Sequence, residues 1–152
     1  MLQGALIGAV IGLAYALLIL WRAKNAKGGK YLAEMTKRVL TFAAPQAPAE
    51  VVAALEGGAS GHPATLEATD KAAHRLVLTD KASLSSFGFF YPIHVAAAPG
   101  GGSSVSVGIA SRGNQWGPLV TKAHTIFADA VKKSLRSEEH TSQLQSRQYL
   151  VC

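Results

Sequence analysis

The stretch from Leu2 to Trp21 is uncharged and almost wholly apolar, and it constrains the chain more than anything after it. Twenty residues of α-helix at about 1.5 Å per residue cover about 30 Å, the hydrocarbon thickness of a bilayer. Only Gln3 and Tyr15 carry polar side-chain groups within it, so a helix that satisfies its own backbone takes almost nothing polar into lipid. Trp21 and Arg22 mark the water boundary, because an indole prefers the headgroup layer and a guanidinium reaches toward it. A cleaved signal peptide needs a basic start and a small-residue cleavage site. Met1-Leu2-Gln3-Gly4 has no basic side chain and Leu17-Leu18-Ile19-Leu20-Trp21 offers no such site. Residues 1–21 therefore read as a retained, single-pass transmembrane helix.

Residues 22–36 read as a basic juxtamembrane linker. From Arg22 to Arg38 the chain has six Lys or Arg against one acid, Glu34, a bias that keeps this flank, and the folded part behind it, on the cytoplasmic side of the cell membrane. Trp21, Arg22, Lys24, Lys27 and Lys30 are the expected contacts with the membrane surface, and anionic lipid headgroups the expected partner. Gly4, Gly8 and Gly12 form two overlapping G-x-x-x-G steps, which lay a smooth groove along one helix face and predict homodimerisation through it.

Division of the charge removes a nucleic-acid reading. The chain carries +6 overall, of which the segment from Arg22 to Arg38 supplies +5. Val39 to Leu135 balances seven bases with six acids, and its bases are not interleaved with aromatics on one surface, so no nucleic-acid partner is expected. These roughly 97 residues suffice for one core. They hold no cysteine, which excludes disulfides, thiolate chemistry and Cys-based zinc sites and fits a reducing compartment. The Ala- and Gly-rich, cysteine-free makeup suggests a bacterial chain.

The patterning from residue 37 to 135 predicts an α+β domain. Lys37 to Ala43 alternates as a strand, and Pro48 to Glu56 is a short helix with a first-turn proline and Gly57-Gly58 as terminator. Ala64 to Thr69 and His74 to Thr79 are strands around an Asp70-Lys71-Ala72 turn. Ser86 to Ala97 is the most apolar strand, and Pro99-Gly100-Gly101-Gly102 turns it back into Ser104 to Ala110. Pro118 to Leu135 is an amphipathic helix with Leu119, Ala123, Ile126, Phe127, Ala130, Val131 and Leu135 on its apolar face. The order is strand, helix, four strands, helix, which packs most simply as an antiparallel sheet covered by a C-terminal helix. That order resembles the TATA-box-binding-protein-like, helix-grip arrangement of the START-like superfamily in reduced form. The resemblance implies a helix laid across a curved sheet and an apolar cavity between them.

Candidate chemistry is sparse. His62, His74, His94 and His124 are scattered without helical spacing, so no metal site is expected; His62 in its Gly-Pro loop and His124 on the polar side of the last helix read as solvated. Ser60-Gly61-His62 lacks a nucleophile elbow, and neither Gly28-Gly29-Lys30 nor Gly100-Gly101-Gly102 is a phosphate loop. No catalytic residue and no cofactor is predicted. Phe87, Phe89, Tyr91, Ile126 and Phe127 serve either as core or as the wall of a pocket for an apolar ligand. Phe90, Pro92 and His94 face the other way. Pro92 marks an edge strand or a bulge, and Phe90 offers a partner or membrane contact, as does Trp116 in the Gly113-Asn114-Gln115-Trp116-Gly117 loop. The leading reading is a non-enzymatic, membrane-anchored domain that binds a protein partner or apolar ligand at the cytoplasmic face. The alternative is a lipid-handling or cyclase-like enzyme of the helix-grip type.

Residues 136–152 break from this pattern: they are polar, lack periodicity, and read as a disordered tail. The segment closely resembles the translation of a sequencing-adapter read-through, differing at Gln143, where the adapter gives Glu. That resemblance implies a non-native tail, so Glu138, Glu139, His140 and Cys152 receive no functional role.

Overall fold

A computed structural model of the chain describes residues 2–58, 60–83, 86–113 and 115–149. Asn114 and Cys152, singled out above, lie outside the described residues.

The apolar stretch forms α1, Leu2–Asn25, one turn longer than the run from Leu2 to Trp21. It packs almost nothing: Val10 and Leu13 are more than 60% exposed and Leu20 nearly half. Only at its far end does burial begin, with Ala23 at 1%. The chain then makes one 3-10 turn, Gly29–Leu32, before the sheet starts.

The sheet contains β1 (Val39–Ala44), β2 (Thr65–Asp70), β3 (Arg75–Thr79), β4 (Phe89–Ala97), β5 (Ser103–Gly108) and the two-residue β6 (Ala110–Ser111). Its order is β1-β5-β4-β3-β2, antiparallel throughout, with β6 also on β4. Two expectations for β4 change. The strand begins at Phe89 rather than Ser86, because Gly88 turns the chain at φ 85° where a Cβ would lie 2.7 Å from the Asp80 carbonyl oxygen. Pro92 is not on an edge. It sits mid-sheet, in register with Val77, where pairing to β5 stops at Ile93 and pairing to β6 starts at Phe90. Its missing N–H therefore falls in a break of the ladder, where proline is tolerated.

Two helices cover the inner face. α2, Pro48–Glu56, begins with the Glu50 carboxylate accepting from the Ala47 N–H at 3.0 Å and buries Val51, Val52 and Leu55. α3, Pro118–Tyr149, lies on the sheet, and Phe127, Val131 and Leu135 join Leu76, Leu78, Phe89, Tyr91, Ile93, Val105 and Val107 in one core. The α+β arrangement predicted from element order is thus the one adopted, with the C-terminal helix packed on an antiparallel sheet.

α3 departs from expectation twice. Its buried face is turned, so that Val120, His124 and Ala128 point inward while Leu119 and Ile126 are 44% and 50% exposed. Apolar residues occur on both flanks of Phe127, and burial of the imidazole is offset by one hydrogen bond, His124 Nε2 to the Val107 carbonyl at 2.7 Å, as a buried polar group requires. The helix also runs on to Tyr149 instead of ending at Leu135. From Leu119 to Tyr149 the sequence holds no Gly or Pro, so nothing local stops it.

Candidate functional site: the junction between the apolar helix and the sheet

The inner face holds the residues predicted to line a pocket. Tyr91 of β4 and Phe127 of α3 stack face to face with ring centroids 3.8 Å apart, and both are fully buried. At that separation nothing fits between them. Phe89 lies 6.2 Å from Tyr91. Phe87 precedes the strand and packs beside Gly113, and Ile126 faces outward, so these two do not meet the stack. The His62 ring meets Phe127 edge-on at 5.2 Å with its Nδ1 buried and unpartnered. It is part of the aromatic packing, not the solvated loop residue its Gly-Pro setting suggests. Tyr91 donates its hydroxyl to Asp80 Oδ2 at 3.0 Å, and Asp80 Oδ1 accepts from the Phe89 N–H. Burial first, and then the Asp80 charge, drives the Tyr91 pKa far above the ordinary phenol value, so this phenol stays protonated.

The outer face is where sequence reasoning missed most. Phe90, expected to look into solvent, is 2% exposed, because the segment read as a linker is folded over it. Gly28 passes so close that a Cβ there would lie 2.6 Å from the Phe90 ring and 3.1 Å from Val77. The Gly28 N–H donates to Glu67 Oε1 at 3.3 Å. Tyr31 packs on Phe90 at 6.0 Å, and Lys30 Nζ stands 5.0 Å over the Tyr31 ring. Arg75 Nη1 donates to the Leu32 carbonyl, His94 Nε2 bonds the Tyr31 carbonyl at 3.2 Å, and Thr36 Oγ1 accepts from the Ile109 N–H. Burial, aided by the Arg75 charge and opposed by the Tyr31 carbonyl, lowers the His94 pKa.

Arg112 closes the arrangement. From the turn after β6, its guanidinium donates to the carbonyls of Ala23, Lys24 and Ala26, to Asp80 O and to Thr79 Oγ1, at 3.1 to 3.5 Å. It also lies 5.0 Å over the Phe90 ring. A helix leaves its last carbonyls without intrahelical partners, and a cation at that end suits its dipole. One side chain thus caps α1 and ties it to β3 and β6. No sequence periodicity marks Arg112; the only signal was an apolar outer residue, Phe90, on a central strand, which implied a cover of some kind.

Two cavities open beside this tie. One, of about 300 Å³, lies among Tyr15, Leu18, Ile19, Arg22, Ser111, Arg112 and Gly113. The other, of about 480 Å³, is lined by Leu20, Ala23, Lys24, Lys81, Ala82 and Arg112. Of the expected membrane-surface residues, Trp21, Arg22, Lys24, Lys27 and Lys30 are all exposed. Gly4, Gly8 and Gly12 have nothing within 4 Å of where a side chain would begin. Trp116 is 82% exposed. Among the described residues, no three His, Cys, Asp or Glu side chains group as a metal site.

No protein-family model matches the chain, and no curated protein matches it. Among solved structures, one described as "Crystal structure of Ara h 8.0201" superposes with a TM-score of 0.49 at 16% identity, over 66% of this chain and 97% of that one.

Proposed function

We propose that the chain is a single-pass, membrane-anchored, non-enzymatic domain that binds an amphipathic ligand where its apolar helix meets the sheet, at the cytoplasmic face. One observation carries this reading: α1 is apolar and exposed from Gly4 to Leu18, yet its last turn is capped by a side chain of the folded domain. An exposed apolar helix in water is a liability, whereas the same helix in lipid is satisfied, and Arg112 then fixes the domain against the bilayer surface. The basic flank from Arg22 to Arg38 supports the cytoplasmic orientation. The two cavities beside Arg112 support ligand binding at the junction rather than between Tyr91 and Phe127.

Alkaline extraction of membranes, paired with protease access to the folded domain in sealed vesicles, tests this. Retention in the membrane and cleavage only from the cytoplasmic side are expected; release by alkali or protection on that side overturns it. The open face of Gly4, Gly8 and Gly12 supports self-association through α1, and Gly8→Ile is expected to abolish crosslinked dimers. The adapter resemblance of residues 136–152 supports a function without them, so a chain ending at Leu135 is expected to keep the same extraction behaviour.

A further inference from the structure

The larger junction cavity has a composition that specifies its occupant more narrowly than the membrane reading on which this inference rests. Leu20, Ala23 and Ala82 form an apolar wall, and Lys24, Lys81 and Arg112 set three positive charges around it, with no carboxylate among the described lining residues. Lys24 and Lys81 are exposed, and the ion pair recorded among the described residues is elsewhere, Lys71 with Glu56 at 3.3 Å. The Arg112 donors are spent on carbonyls and a hydroxyl, which leave its charge unneutralised. The Asp80 carboxylate keeps its charge but is directed to the Phe89 N–H and the Tyr91 hydroxyl, and it is not among the described lining residues. Leu20 and Ala23 sit on either side of the Trp21-Arg22 boundary, at the level where a lipid's chains give way to its phosphate.

We propose that this cavity is a site for one anionic phospholipid of the surrounding leaflet, its chains running down α1 past Leu20 and its phosphate held between Lys24 and Lys81. The volume, about 480 Å³, is in the range of small-molecule sites. Lys81 comes from the loop after β3, outside the basic flank, so the site is built jointly by helix and domain. A diffuse collar would have no need of it.

The test uses the full chain in micelles with equal amounts of phosphatidylglycerol and phosphatidylcholine, with bound lipid read by native mass spectrometry. An enrichment of phosphatidylglycerol of about fivefold is expected. Lys81→Glu removes it by reversing a charge, and Ala82→Trp removes it by filling the cavity with charge unchanged. Lys133→Glu, an equal change of charge on exposed α3, leaves the enrichment intact. No enrichment in the parent chain, an equal loss in Lys133→Glu, or full displacement by inorganic phosphate overturns the proposal. Alkaline extraction of the same variants separates the two failures: release from the membrane means the anchor reading is wrong, whereas retention without enrichment means only the lipid site is.

Discussion

The two faces of β4 are both buried, but by different means. The inner face is covered by helices through bulk: Phe89, Tyr91, Ile93 and Val95 meet Phe127, Val131, Leu55 and their neighbours in one apolar core. The outer face is covered by a thin strap, residues 23–36, whose backbone is bonded by Arg75, His94 and Arg112 and whose Thr36 hydroxyl accepts from the Ile109 N–H. The inner face thus accounts for folding. The outer face holds the domain to the apolar helix, since the strap is the continuation of that helix.

That contrast can be broken residue by residue. The largest effect is expected from Phe127→Ala, which empties the stack on Tyr91 and costs about 4 kcal/mol of stability. Thermal denaturation in detergent should show it, with membrane extraction unchanged. Arg112→Met removes the donors from the Ala23, Lys24 and Ala26 carbonyls and should cost about 2–3 kcal/mol, with increased proteolysis between Lys24 and Lys30 as the specific sign that the strap has loosened. Gly28→Val drives a side chain into Phe90 and Val77; a loss of about 2 kcal/mol is expected, together with faster amide exchange from Tyr31 to Thr36. If the strap were incidental, neither change would alter exchange there.

The smallest effect concerns His94. Its folded pKa is lowered by burial, so the unfolded chain takes up the proton first. The contribution of neutral His94 is therefore complete above the ordinary value of about 6.5 and is lost as pH falls below it toward the folded pKa. His94→Gln should flatten the decline in stability as pH falls below about 6.5, and an unaltered pH profile would show that the strap does not feel this group.

Much of the inner face was legible because it follows from periodicity. Alternation in β4 and β5 placed Phe89, Tyr91, Val105 and Val107 correctly, and Pro48 with Glu50 marked the start of α2. The register of α3 was less legible. Leu119 and Ile126 fit the three-and-four spacing as well as Val120 and His124 do, and only the Val107 carbonyl, a tertiary partner, decides for His124. The outer face was illegible for a related reason. Gly28 and Tyr31 meet the side chains of Phe90, Glu67 and His94, and Arg112 meets carbonyls, all far away in sequence, and neither charge nor hydropathy distinguishes an arginine that caps a helix from one in water. The basic residues of 22–36 looked alike in the sequence. In the fold both Lys24 and Lys27 expose their side chains, and the Lys24 carbonyl accepts from Arg112.

Through Arg112, α1 is fixed to the domain rather than tethered to it. The most direct measurement is the distance distribution between spin labels at Leu13→Cys and Ala73→Cys in liposomes, with Cys152 replaced by Ser; both label sites are exposed. A single narrow distribution that broadens on adding Arg112→Met is predicted. A broad distribution in the parent protein, unchanged by that substitution, would contradict the account.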